Sequence, residues 1–403
     1  MSFSIATSGL NAVTEQLNAI SNNIANSGTV GFKSGRAEFS ALYAESQPLG
    51  VGVTGITQSI TKGGSIASTG TALDLAINGN GFFMVRDSAG TTAYTRAGYF
   101  GTDSNGNLIN NQGMYMQGYP VDANGTLQVG SIGNLTISSG SIPAKATESI
   151  DFTANFDARA EAIPNTIPFD PKDNTTYNNS YTTQVYDSLG REHTMNQYFV
   201  KTGENEWEVH YYVDDQPVMD PDTGAEQVQK MTFSSQGILE TPDKAIDLSA
   251  AIPGADNIDI KLTYNNTTQY GSDFSVSKNK GDGYASGERT GQAIDKDGSV
   301  YATFSNGERL LQGQLVLANF TNPNGLQSQD GTTWAQTASS GAPLTGAPGT
   351  GLLGSIVSGA LESSNVDLTS ELVGLMTAQR NYQANTKVIS TNDSMMNALF
   401  QAV

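Results

Sequence analysis

The sequence contains no cysteine. That excludes disulfides, thiol nucleophiles and cysteine-based metal sites. Histidine is almost as scarce: His193 and His210 are the only two in 403 residues. They fall on neighbouring predicted strands, where a shared metal is conceivable. No clear third ligand accompanies them, and no metal is expected. No run of 18 or more apolar residues occurs, so no helix is expected to span a bilayer. The first residues carry neither the positive segment nor the apolar stretch of a secretory leader. Sec-type export is therefore not expected, which favours a cytoplasmic protein or a dedicated export route. Positive charge is in deficit too. The 20 Lys and Arg against 39 Asp and Glu leave a net charge of −19 at pH 7. That argues against nucleic acid and anionic membranes as partners.

Other signatures of chemistry are incomplete. Neither Gly79-Asn-Gly81 nor the 55–64 stretch is followed by Lys-Ser/Thr in the frame a phosphate loop needs. Asp103-Ser-Asn-Gly-Asn107 and Asp295-Lys-Asp-Gly298 resemble fragments of calcium loops. Both lack the bidentate Glu of an EF-hand and read as β-turns. Among the many carboxylates nothing marks one pair as a glycosidase pair. No catalytic residue, metal or cofactor is expected.

What the sequence does have is a heptad seam at each end. Phe3, Ala6, Leu10, Val13, Leu17, Ile20 and Ile24 alternate steps of three and four. That predicts a helix over residues 1–26, with Ser2 or Ser4 as its N-cap. Asn22, Asn23, Asn26, Gly28 and Gly31 then break it. Near the other end Leu368, Leu372, Leu375, Tyr382, Ile389, Met396 and Phe400 follow the same spacing. Gln379, Thr386 and Asp393 interrupt that seam with polar groups. Each seam needs a partner to bury it. On pattern alone the two could pair inside one molecule or join copies of the chain. A single-seam helix is marginal in isolation. Ends disordered in the monomer, and a paired coiled coil after assembly, are therefore expected.

Between the seams the sequence reads as β structure, with 44 glycines supplying turns. Residues 27–70 are Gly/Ser/Thr-rich and read as an extended arm with little core of its own. From Leu73 the apolar period becomes two or continuous, as in Gly81-Phe-Phe-Met-Val85. Turn signals recur at Asp87-Ser-Ala-Gly90, Asp103-Ser-Asn-Gly106 and Asp122-Ala-Asn-Gly125. Residues 181–186, 194–200 and 207–213 read as a meander in a second β domain. The style of the first domain returns from about Gly283, with strands expected at 300–304 and 313–320. Residues 338–354 read as a Gly/Ala/Ser/Pro-rich linker. The expected fold is mainly β with α-helical termini. Two antiparallel β domains are nested, 71–146 and 284–361 enclosing 147–283, beside a terminal coiled-coil domain of 1–26 and 362–403. Residues 148–282 hold 23 acids and 9 Lys or Arg, a net of −14. A solvated middle and packed ends would produce that split.

Several motifs now resemble a known family. Leu17-Asn-Ala-Ile-Ser-Asn-Asn-Ile-Ala-Asn-Ser-Gly-Thr-Val-Gly-Phe-Lys33 resembles the N-terminal signature of flagellar rod and hook proteins, through Asn22, Asn23, Asn26, Gly31, Phe32 and Lys33. Gly359-Ala-Leu-Glu-Ser-Ser-Asn-Val-Asp367, leading to Gln379-Arg-Asn-Tyr-Gln-Ala-Asn385, resembles the family's C-terminal signature. Asn365, Arg380, Asn381 and Tyr382 carry that match. Leu73-Asp-Leu-Ala-Ile-Asn-Gly-Asn-Gly-Phe-Phe83 and Tyr94-Thr-Arg-Ala-Gly-Tyr-Phe100 resemble the β domain these proteins share. The length and the insert at 147–283 resemble the hook branch more than the shorter rod branch.

The resemblance implies a structural subunit, not an enzyme, that polymerises through its two seams. The product would be a short curved helical tube acting as a universal joint between motor and filament. Implied partners are further copies of the chain, adjacent axial proteins (distal rod and hook–filament junction), the hook cap and the flagellar export apparatus. Nucleic acid and membrane insertion are not implied. The implied location is the extracellular flagellum, attached to the basal body and reached without a cleaved signal peptide. Two other readings stay open: a straight distal-rod subunit, and a secreted β-rich adhesin or carbohydrate-active protein whose helices only trimerise it.

Overall fold

In a computed structural model the two ends are helices, α1 (Ser2–Ala25) and α2 (Leu368–Ala402). The structure describes residues 2–44, 47–122, 125–138, 140–164, 166–220 and 223–402. Apart from one short 3-10 turn at Pro323–Gly325, the other described elements are strands. α1 carries a single charge, Glu15, and no proline, so nothing interrupts its ladder. α2 starts one residue after Asp367, whose carboxylate accepts the backbone N–H of Thr369 at 2.9 Å and of Ser370 at 3.2 Å. That is an N-cap, and those bonds hold the Asp367 carboxyl below its ordinary range. No described helix is long and apolar enough to cross a membrane.

The chain divides into two compact units. One comprises Met1–Ser139, Gly291–Thr303 and Arg309–Val403, the other Gly140–Thr290 and Phe304–Glu308. In the first unit much of the expected arm is a hairpin. β1 (Gly35–Ala44) pairs antiparallel with β2 (Gln47–Gln58), with register shifts after Glu38 and Leu42. Ala37 is buried, while Phe39, Leu42, Tyr43, Val53 and Ile56 stay exposed. A two-stranded ribbon has no core of its own, so its alternation is weak beside the Gly/Ser/Thr content.

Among the described residues this unit also holds a 13-stranded sheet, passing through Phe82–Arg86, Thr92–Thr95, Tyr115–Pro120 and Thr333–Ala335, and two short two-stranded pairings, Leu75–Asn78 with Ser355–Ser358 and Ile66–Ser68 with Ala360–Glu362. Phe82, Met84, Tyr94, Val316, Ala318, Phe320 and Trp334 share its core. Tyr94 and Phe320 meet edge to face, 4.8 Å between centroids. The expected strand 313–320 parts at Val316. Arg309–Leu315 pairs with Tyr115–Pro120, and Leu317–Asn319 turns to Phe82 and Phe83. The expected linker supplies Leu344–Gly346, which pairs with Leu317–Asn319.

The Asp-x-x-Gly turns share one construction. At Asp87, Asp103 and Asp187 the glycine N–H donates to the Asp carbonyl at 3.0–3.1 Å. The Asp side chain accepts the N–H of the residue after the glycine at 2.7–2.8 Å. The glycines take φ of +91, +81 and +78, a conformation glycine adopts without penalty.

The second unit is two sheets around one core. Ser149–Asp157 alternates cleanly, burying Ile150, Phe152, Ala154 and Phe156. It pairs antiparallel with Ser275–Gly281 but parallel with Ile258–Thr263 and Thr268–Tyr270. The unit is thus not purely antiparallel. The chain reaches those two parallel neighbours by crossing through the other sheet. That sheet holds the expected meander, as Asn179–Tyr186, Glu192–Gly203 and Glu206–Val213. Phe152, Phe156, Phe199, Trp207, Tyr211 and Tyr264 meet between the sheets. Polar groups buried with them are paired: Tyr264 donates to Gln197 Oε1 at 2.6 Å, and Trp207 Nε1 to Gln269 Oε1 at 2.9 Å.

Candidate functional site

The two helices pack against each other within the single chain. Asn23 meets Glu371, Ile20 meets Gly374, and Gly9 meets Asn385. All three pairs share one register, and it is antiparallel. Val13, Ile20 and Ala378 are buried in the contact, with Leu17, Ile24 and Leu375 packed around them. Leu10 is half-buried and Phe3 is 50% exposed.

On α2 the contact departs from the expected ladder. Of the expected seven, Leu375 packs on α1 and Ile389 is half-buried. Leu368, Leu372, Tyr382 and Met396 are 40–51% exposed. The side chain of Phe400 lies outside the described residues. The strip facing α1 is Glu371, Gly374, Leu375, Ala378 and Asn385. Two causes act together. A strict seven-residue ladder drifts around a straight helix by about 20° per heptad. The strip also includes the small residues Gly374 and Ala378, and opposite it a Cβ on Gly9 would lie 3.0 Å from Asn385.

At the open end of the helix pair the signature residues converge. Asn23 is 2% exposed; its amide donates to Gly35 O at 2.8 Å and to Glu371 Oε1 at 2.9 Å. Its oxygen accepts the N–H of Gly35 at 2.8 Å. Asn365 does the same from the other terminus. Its Oδ1 accepts the N–H of Ser34 at 2.7 Å, and its Nδ2 donates to Ser59 O and Lys62 O at 2.9 Å each. Beside them lies a buried charge triad. Lys33 Nζ stands 2.5 Å from Glu362 Oε1, and Arg96 Nη1 stands 2.9 Å from Glu362 Oε2. Lys33 also donates to Lys62 O at 2.9 Å, and Arg96 to Gly79 O at 2.8 Å. The Gly64 N–H completes the carboxylate, donating to Oε1 at 2.9 Å.

Burial pulls the Lys33 and Arg96 pKa values down, against the attraction of Glu362. Burial alone would raise the Glu362 carboxyl, but the two cations outweigh it and hold it below its ordinary range. Both carboxylate oxygens are engaged. The arrangement fastens five stretches of chain together and presents no reactive group.

Gly31 closes the same junction. Its φ is +71, its N–H donates to Glu362 O at 2.8 Å, and a Cβ there would lie 2.5 Å from the backbone nitrogen of Ala97. Gly31→Ala is expected to destabilise the first unit by about 1–3 kcal/mol. Chemical denaturation followed by tryptophan fluorescence at Trp334 checks this. An unchanged midpoint would mean the junction is looser than drawn.

The structure therefore brings together Asn23, Gly31, Phe32, Lys33 and Asn365, the Asn365 N–H reaching the Phe32 carbonyl at 3.4 Å. It does not bring the others in. Asn22 and Asn26 close the end of α1, where the Asn26 N–H and side-chain amide both donate to Asn22 O at 3.0 Å. Arg380, Asn381 and Tyr382 lie exposed on α2, with Asn381 lining a groove beside Val13, Phe39 and Val51. Sequence reasoning passed over Arg96 and Glu362. The only signal was their place inside the quoted motifs, a lone Arg after Tyr94-Thr95 and a lone Glu after Ala360-Leu361. The two histidines do lie on adjacent strands, but they serve different carboxylates. His193 contacts Asp187 and Asp214, and His210 contacts Glu226.

Family descriptions match the chain in four consecutive parts. They are flagella basal body rod protein over 3–33, flagellar hook protein FlgE/F/G D1 domain over 76–155, flagellar basal body protein FlaE D2 domain over 155–284, and flagellar basal body rod FlgEFG protein C-terminal over 357–402. The flagellar hook protein FlgE of Salmonella typhimurium is 43% identical over 404 residues, 99% of each chain. That of Escherichia coli K12 is 41% identical over 405 residues, again 99% of each. The crystal structure of Helicobacter pylori flagellar hook protein FlgE2 shares the fold, with a TM-score of 0.53 at 14% identity over 74% of this chain and all of that one. Identity of this order from end to end, with both hook-type domains matched between the helices, makes the chain a member of the flagellar hook protein family and a structural subunit of the hook.

Proposed function

We propose that the chain polymerises through its terminal helices into a short curved tube, a universal joint that passes torque from rod to filament. The observation carrying this is the uncovered apolar surface of α2. Leu372, Val373, Met376, Met395 and Met396 are each about half exposed. The shared helix register sets Ser2 level with Asn392, so α2 beyond that point has no α1 beside it. Its 35 residues span about 52 Å against about 36 Å for the 24 of α1. Apolar surface of that extent marks an interface. Copies related by a rotation that does not close would cover one another's helices in a helical tube.

The charge distribution supports the same arrangement. The helices are nearly neutral and suit a packed interior, whereas residues 148–282 carry a net of −14 and suit a solvated exterior. In this reading the neighbours are further copies, the distal rod below, the hook–filament junction above, and the hook cap during growth. The chain leaves the cell through the flagellar export apparatus, unfolded and without a cleaved signal peptide. A chain free of disulfides can be threaded that way.

Negative-stain electron microscopy after salt-induced assembly tests this. The full-length chain should give curved tubes, and a chain lacking residues 1–30 and 365–403 should give none. Straight tubes would favour the rod reading. A full-length chain that never assembles would overturn polymerisation.

A further inference from the structure

One ring in the second unit stands between two carboxylates from different strand ends. His193 Nδ1 lies 2.5 Å from Asp214 Oδ2, and His193 Nε2 lies 3.2 Å from Asp187 Oδ2. Asp187 is fully buried and opens the turn between Asn179–Tyr186 and Glu192–Gly203. Asp214 follows Glu206–Val213, and both it and Asp215 hold positive φ, 47 and 62. Each carboxylate also organises backbone. Asp187 Oδ1 accepts the N–H of Leu189 at 2.9 Å and of Arg191 at 2.8 Å, and Asp214 Oδ1 accepts the N–H of Thr194 at 3.0 Å.

The other charges at this end are few. Arg191 Nε donates to Asp187 Oδ2 at 2.6 Å, and its guanidinium reaches Pro253 O at 3.3 Å. The same loop brings up Asp256, whose N–H donates to Ser188 Oγ at 3.4 Å. Asp187, Asp214 and Arg191 together leave one uncompensated negative charge, before Asp215 and Asp256 are counted. A protonated His193 cancels it.

We propose that His193 is a proton-operated latch: protonated, it ties the 187–190 turn to the 214–215 turn, and loss of its proton releases that end of the second unit. The chemistry follows from the ring. An imidazolium has two N–H donors, one for each carboxylate. A neutral imidazole keeps one donor and turns a lone pair on the other carboxylate, so one of the two contacts must open.

The sign is set by three groups. Burial opposes the charge on His193, but the hydrogen bonds to Asp214 and Asp187 outweigh it and raise its pKa. Burial likewise disfavours both carboxylates, and hydrogen bonds to the Arg191 and Thr194 backbones and to His193 outweigh that and lower theirs. A raised histidine stabilises fully below its ordinary pKa of about 6.5 and loses that stabilisation as pH rises through the raised value. The lowered acids stabilise above the ordinary carboxylate range and lose it as pH falls. The latch is therefore closed in the weakly acidic range and opens as pH rises through the raised His193 value.

The test uses the full-length chain in low salt. Ring NMR follows His193 separately from His210, which lies on the neighbouring strand and meets Glu226 at 2.9 Å. Hydrogen exchange of the peptide holding Leu189, Arg191 and Thr194 is followed across neutral to alkaline pH and corrected for the intrinsic rate. Protection should fall severalfold as His193 titrates through its raised value. H193Q should show no such fall, and D214N should shift the His193 titration downward. The proposal is overturned if His193 titrates at or below the ordinary value, or if H193Q retains the pH-dependent fall. Should H193Q fail to fold by circular dichroism, an unshifted His193 in D214N overturns it instead.

Discussion

Glu362→Gln is expected to cost the first unit about 3–5 kcal/mol, while the second unit unfolds where it did before. The substitution removes the one anion that faces Lys33 and Arg96, whose side chains are 0% and 6% exposed. Two cations would then stay buried against carbonyl oxygens alone, and neither could reach water without breaking the junction. Calorimetry separates the outcomes, because the two units have separate cores. The lower-temperature shift should appear in one transition only. A companion change sharpens the reading: adding Lys33→Met to the variant should recover part of the loss by deleting one stranded charge. The acid limb should change as well. Glu362 is held below its ordinary pKa, so its stabilisation is present above the usual carboxylate range and fades as pH falls through the lowered value. The variant lacks that component and should show a flatter acid limb. A loss below about 1 kcal/mol would place the triad among exposed ion pairs, not buried ones.

Leu372→Asp together with Met396→Asp should leave the single chain intact and prevent assembly. Both side chains are about half exposed, and neither belongs to the buried contact between the helices. Surface changes of that kind move folding stability by no more than about 0.5 kcal/mol. Each side chain covered in a polymer would contribute about 1–2 kcal/mol of apolar burial, and a carboxylate in its place adds a desolvation cost. A combined deficit of about 3 kcal/mol per subunit raises the concentration needed for assembly by more than a hundredfold. Sedimentation with electron microscopy reads the loss, and circular dichroism reads the retained helix. Val13→Asp is the contrast. Val13 is 8% exposed between the helices, so that variant should lose helix before any question of assembly arises. Tubes from the Leu372/Met396 variant at the usual concentration would remove the exposed face of α2 from the interface.

These residues also show where the sequence was informative. The Asp-x-x-Gly turns were legible because every hydrogen bond in them is local. The meander strands at 181–186, 194–200 and 207–213 were legible because short local turns join them. Ser149–Asp157 and its parallel neighbours were not, since their pairing depends on the route of the chain elsewhere. The α2 strip that faces α1 was not legible because the heptad ladder weighs large apolar side chains, and this contact includes Gly374 and Ala378. Arg96 and Glu362 were passed over because nothing local distinguishes a buried charge from a solvated one. The two are 266 residues apart in sequence.

That distance has a consequence for the order of events. The Lys33–Glu362 contact joins residues 329 apart, and Asn23 to Glu371 spans 348. The core of the second unit draws only on residues between Ile150 and Val276. A chain that emerges from its N-terminus therefore completes the second unit while its own first segment still lacks its distant partners Glu362, Asn365 and Glu371. The signature residues from Asn23 to Lys33 are among the earliest made and the last fastened. Closing so long a loop is slow. The beginning of the chain stays open to other molecules until nine-tenths of its length has appeared, and then locks in one late step.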